Sequence, residues 1–151
     1  MTWANPTSPN LPDFMLFVQD SMQIDPILLP DDSPYYGYAF NQAIATVLSV
    51  PSCGGIDYTL AVYNCGGHIL LRITPDQPQR TFFQDTRGKY AMLQPSVGVV
   101  QSASDDGTAN TIAVPKALQE LTIGDLGFMK TPWGREYLSY AQDFGGIWGL
   151  T

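Results

Sequence analysis

Any chemistry in this 151-residue chain would have to run through very few side chains. There is one histidine, His68, and there are two cysteines, Cys53 and Cys65. Cys65 and His68 sit three positions apart, a metal-ligand spacing, with Cys53 as the remaining thiol. A closed zinc site takes four Cys or His ligands, so this set is one short, and reduced, buried, inert thiols are expected instead. A serine hydrolase needs a base for the hydroxyl proton, and His68 would have to be that base, yet no Gly-x-Ser-x-Gly turn presents a serine. Adjacent carboxylates occur at Asp31-Asp32 and Asp105-Asp106. Both pairs lie beside Ser, Pro or Gly, where Asp closes turns by hydrogen-bonding its own backbone. Ser104, Asp105 and Asp106 lack the full ligand pattern of a calcium loop. Gly66-Gly67 has neither the spacing nor the preceding strand of a dinucleotide fingerprint. The expectation is therefore no enzyme, no metal and no cofactor. The alternative from another class is a small-ligand-binding domain or a weakly marked enzyme using His68.

The elements that must position these residues read as mainly helical. Residues 1–12 hold Pro6, Pro9 and Pro12 among polar residues, which predicts an extended N-terminal arm. Phe14, Phe17 and Val18 recur at helical spacing between Asp13 and Met22, with Asp13 as cap. Ser33-Pro34 predicts a second helix start, with a core stripe of Tyr36, Phe40, Ala43, Ile44, Val47 and Leu48 that Pro51 ends. Asp57 predicts the cap of a third helix running to about Ile73. Gly66-Gly67 inside it costs roughly 1 kcal/mol per glycine against alanine, tolerable where another helix approaches or the helix kinks. A fourth helix is expected from Phe82 to Gln94.

Residues 96–114 change character. Val97, Val99 and Val100 on one side, and Ile112 and Val114 on the other, flank small polar residues around Asp106-Gly107, a hairpin signal. Thr122 and Asp125 predict a short helix to Lys130. Thr131-Pro132 opens the last helix, faced by Trp133, Tyr137, Tyr140, Ala141 and Phe144 and ended by Gly145. The expected fold is a single mainly α domain over 1–151. It is a small bundle of four to five helices, interrupted by a long β-hairpin or projecting loop over 96–114, with extended N- and C-terminal arms.

Composition narrows the partners. Charged residues make up 14% of the chain, against roughly 25% in average soluble proteins. Interface cores are depleted in charge, so the shortage hints at an interface-rich subunit; a polar monomer with few charges fits the composition equally well. The net charge of −7 opposes a groove that tracks nucleic-acid backbones. No run of about 18 apolar residues occurs, so no membrane span is expected. Met1-Thr2-Trp3-Ala4 lacks the basic start of a secretory signal, and the protein is expected to stay where it is made.

Three stretches carry a resemblance. Thr131-Pro132-Trp133-Gly134-Arg135-Glu136-Tyr137-Leu138 looks like the Thr-x-Tyr-Gly-x-x-Tyr start of a last helix. Gly98-Val99-Val100-Gln101-Ser102-Ala103-Ser104 looks like a Ser-rich G-x-V-x-S-x-S loop, and Leu60 to Leu70 looks like a central helix containing Ala and His. In this order they resemble the head-tail connector, or adaptor, proteins of tailed bacteriophages. Two departures stand out: Gly66-Gly67 replaces the more usual alanines, and residues 1–32 have no clear counterpart.

The resemblance implies a structural virion protein of the neck, assembled in the host cytoplasm. It implies a ring of copies of this chain, usually a dodecamer, between the portal protein and a downstream neck or tail protein. DNA would pass through the lumen without specific binding. A head-closure or tail-terminator protein is the alternative within the same class. The loop residues Ser102, Ser104, Asp105, Asp106 and Gly107 are candidate interface residues. So is the tail Gly146, Ile147, Trp148, Gly149, Leu150 and Thr151, whose apolar side chains are natural anchors on a segment too short to fold alone.

Overall fold

In the computed structural model, residues 4–47, 55–94, 102–105, 108–111 and 123–143 are described. Six helices follow one another: α1 (Leu11–Asp20), α2 (Pro34–Thr46), α3 (Gly55–Ile73), α4 (Phe82–Lys89), α5 (Ile123–Phe128) and α6 (Pro132–Asp143). The long α3 is the axis. Every residue from Ala61 to Leu71 is buried, and a helix apolar on all sides must be surrounded by others. α2 and α6 pack on it most extensively, with α1 and α4 completing the enclosure. Phe14 sits between two aromatic neighbours, its ring centroid 5.7 Å from Phe40 and 5.8 Å from Tyr63. Such tilted pairs add stabilisation beyond the area they bury.

The first helix begins at Leu11, two residues before the expected start. Asn10 is its cap, its side chain accepting from the Asp13 N–H at 2.9 Å. Asp13 itself is buried and faces backwards. Its carboxylate accepts from the Ala4 and Asn5 N–H groups at 3.0 and 2.9 Å and from the Asn10 amide at 2.8 Å. The described part of the expected extended arm is therefore corrected: residues 4–10 are tied to the bundle. Burial alone would raise the Asp13 carboxyl, but these donors together hold it below its usual value.

The second helix starts at Pro34 as expected, and Tyr36, Ala39, Phe40 and Ala43 fill its buried face. Ile44, expected in the core stripe, is turned outward. The fourth helix stops at Lys89 instead of Gln94, and Ala91 takes a left-handed φ of 50° in the turn that follows. Asp76 caps its start, accepting from Phe83 N–H at 2.6 Å and Gln84 N–H at 2.9 Å. Arg87 then donates to the Leu71 and Thr74 carbonyls at 3.0 and 2.7 Å. This fixes α4 across the C-terminal end of α3, where carbonyls lack helical partners.

The expected fold class is corrected. The mainly α part stands, with six helices among the described residues where four to five were expected. Among the described residues no long projecting β-hairpin over 96–114 is seen. Among the described residues, extended backbone there amounts to two four-residue segments, β1 (Ser102–Asp105) and β2 (Thr108–Thr111), which pair with each other. The reason lies in composition: Ser, Ala, Asp, Asn and Thr give an isolated strand pair no apolar face to bury. The expected C-terminal arm, 145–151, lies outside the described residues.

Candidate functional site

The only imidazole of the chain is placed by three elements. α3 carries His68, the turn after α5 carries Thr131, and α6 begins beside it. His68 Nδ1 lies 2.8 Å from Thr131 Oγ1, and the same hydroxyl accepts the Gly134 N–H at 3.0 Å. Thr131 is completely buried and His68 nearly so. Since Thr131 Oγ1 already accepts from Gly134 and no other acceptor for its hydrogen is found among the described residues, Thr131 donates to Nδ1. The imidazole proton then resides on Nε2. Phe128 stacks at 4.6 Å from the His68 ring and 4.9 Å from Tyr137, closing the cluster. A Cβ on Gly134 would fall 2.0 Å from the Phe128 carbonyl oxygen, so only glycine lets α6 start this close to the end of α5.

Burial, with the Arg72 charge nearby as the lesser cause, pushes the His68 pKa down to about 4. The ring is neutral at neutral pH. One turn earlier, Cys65 is a free, buried thiol that burial pushes up to about 12, Arg72 pulling weakly the other way. It stays protonated and is a poor nucleophile. Cys53, the third residue of the weighed zinc set, lies outside the described residues. Among the described residues no three His, Cys, Asp or Glu side chains converge as a metal site.

Beside the cluster opens a cleft of about 240 Å³. His68 and Arg72 form its α3 wall, Gly124, Gly127 and Phe128 its α5 wall, and Met92, Gln94 and Lys130 close it. Lys130 Nζ is fixed by the Ala91 carbonyl at 2.9 Å and by the Gln94 carbonyl. The turn after α4 is thereby tied to the end of α5.

Of the carboxylate pairs, Asp31 serves locally, accepting from the Gln19 side chain at 2.7 Å. Ser102, Ser104 and Asp105 lie on β1. Asp106, Gly107 and the tail Gly146 to Thr151 lie outside the described residues. Sequence reasoning singled out His68 and read Thr131 as a helix cap, but did not pair them. Arg72, Phe128 and Lys130 went unremarked as site residues, because nothing local in the sequence joins α3 to α5.

The chain matches no known family model, no curated protein and no solved structure.

Proposed function

We propose that this chain is a non-catalytic structural subunit of a tailed-phage neck, a head-to-tail adaptor that assembles as a ring between the portal and the next neck or tail protein. One observation carries the reading. The residues of the adaptor-like stretches, His68 from the central helix and Thr131, Gly134 and Tyr137 from the last, meet in a single buried joint. A resemblance resting on unrelated coincidences would scatter those residues over the fold.

The two departures from the adaptor pattern support the same reading, because they are one physical feature. α1 belongs to the segment without counterpart, and its Phe14 presses on Gly66 while Met22, just beyond it, presses on Gly67. Glycines replace alanines where an extra helix must fit. Ile27, Tyr38 and Leu93 are well exposed on a surface poor in charge, as subunit contacts require. The neutral, hydrogen-bonded His68 serves that joint and is not a free base.

The test is the mass of the full-length protein, alone and after mixing with purified portal rings. A closed multimer, or a single stoichiometric complex on the portal, is the expected result. A monomer at every concentration that leaves portal rings unchanged in mass would overturn the proposal.

A further inference from the structure

Independently of the ring, the cleft beside His68 has its own chemistry. Its two charged lining residues, Arg72 and Lys130, are both cations, in a chain with fourteen acidic and seven basic residues. Two of seven bases thus converge where, among the described residues, no carboxylate lines the wall. Arg72 forms no hydrogen bond or ion pair among the described residues, and its guanidinium presents a fork of donors at the wall. Lys130 donates to two carbonyls, and an ammonium group carries a third N–H. His68, with Nδ1 engaged by Thr131, has Nε2–H as its remaining function, a donor and not an acceptor. The walls therefore supply donors and positive charge, and Gln94 adds an amide able to donate. Asp125 on α5 has interactions of its own and is not part of the lining.

We propose that this cleft binds a small oxyanion, a carboxylate or a phosphate, between Arg72 and Lys130 with the His68 edge as third donor. At about 240 Å³ the space suits an ion or a single acidic group, below the roughly 300–1,000 Å³ of sites that enclose drug-sized molecules. Arg recognises carboxylate and phosphate through paired N–H groups. The anion is either free in solution or an acidic side chain of a second copy of this acidic chain.

Because His68 is the sole histidine, its ring resonances report on the cleft without assignment ambiguity. Full-length protein is titrated with sodium phosphate and, separately, sodium acetate, at constant ionic strength against sodium chloride. The expected result is a saturable shift of the His68 Cε1–H signal with either oxyanion and none with chloride. Arg72→Gln should weaken it about tenfold, the loss of one charge-assisted contact. Arg80→Gln, the same charge change at an exposed site elsewhere, should leave it unaltered. A His68 shift that grows with protein concentration alone, is reversed by phosphate and is lost in Arg72→Gln identifies the oxyanion as a second copy's carboxylate. Absence of any saturable oxyanion-specific shift, or equal effects of the Arg72 and Arg80 substitutions, would overturn the site. Neither result depends on ring formation, so failure here leaves the adaptor reading standing, and the reverse.

Discussion

His68 Nδ1 and Thr131 Oγ1 lie 2.8 Å apart across 63 positions of chain, and the same hydroxyl holds the Gly134 N–H. One buried oxygen thus joins the central helix to the start of the last one. The first-turn amides of a helix lack internal partners. Here the group that satisfies one of them is itself fixed by a side chain from another helix. Local capping and long-range docking are a single event, and the joint should respond to substitution as a unit.

Thr131→Val keeps the shape of the side chain and deletes the hydroxyl. It removes a cap, worth about 1 kcal/mol, and leaves the Gly134 N–H and His68 Nδ1 buried without a partner, at about 1–3 kcal/mol. Urea unfolding should show a total loss of about 2–4 kcal/mol. Thr131→Ser should stay within about 1 kcal/mol of the parent, since the oxygen remains. A valine variant as stable as the serine variant would mean that the bridge contributes nothing.

The neutral state of His68 makes stability depend on pH. Its pKa in the fold is about 4, against about 6.5 in an unfolded chain. Between those values the unfolded chain binds the extra proton and the fold does not. Stability is therefore fully present above about pH 6.5 and is lost as pH falls towards 4, by up to about 3 kcal/mol from this group. Unfolding free energies at pH 7 and pH 4.5 should differ accordingly, on top of the common carboxylate contribution. In His68→Gln that extra slope should vanish. An identical pH profile for parent and variant would show that the imidazole protonates freely in the fold.

Much of the helical frame was legible because it depends on local patterns. Ser33-Pro34 and Thr131-Pro132 mark the starts of α2 and α6, and the Phe14, Phe17 and Val18 spacing marks α1. What failed was set by distant partners. Asp13 looks like a helix cap in sequence, yet it is recruited by the amides of Ala4 and Asn5, which turn the proline-containing arm back onto the bundle. Ile44 fits the helical stripe but faces outward. The site was half legible. His68 stands out as the only histidine, while Arg72 and Lys130 look like ordinary surface cations until α5 brings Lys130 against α3.

Asp13 gives the third expectation. Asp13→Ala removes the acceptor of both Ala4 and Asn5 N–H groups and of the Asn10 amide. Hydrogen exchange at Ala4 and Asn5 should rise well before global unfolding, since the arm has lost its anchor while α2 and α3 keep theirs. Exchange at Val62 to Leu70 in the middle of α3 should change far less. Uniform acceleration of both regions would place Asp13 in the core's own stability instead of the arm's.

The glycine pair on α3 yields the sharpest contrast. An added Cβ at Gly66 would sit 2.9 Å from Phe14 Cε2 and 3.0 Å from Cζ. That ring is fully buried and wedged between Phe40 and Tyr63, so it has nowhere to retreat. At Gly67 the near atom is Met22 Sδ at 2.8 Å, the end of a flexible side chain that can rotate away. At Gly88 nothing lies within 4 Å. Alanine gains up to about 1 kcal/mol in helix propensity at each position, while overpacking a rigid neighbour costs about 1–3 kcal/mol. Gly88→Ala should therefore stabilise, Gly67→Ala should be close to neutral, and Gly66→Ala should destabilise. Phe14→Leu, itself a cavity-forming change, should relieve the Gly66→Ala penalty. The double variant should then be more stable than the sum of the two single effects by at least about 0.5 kcal/mol, the signature of residues in contact. Strict additivity, or a stabilising Gly66→Ala, would show that α1 does not bear on α3 at this point.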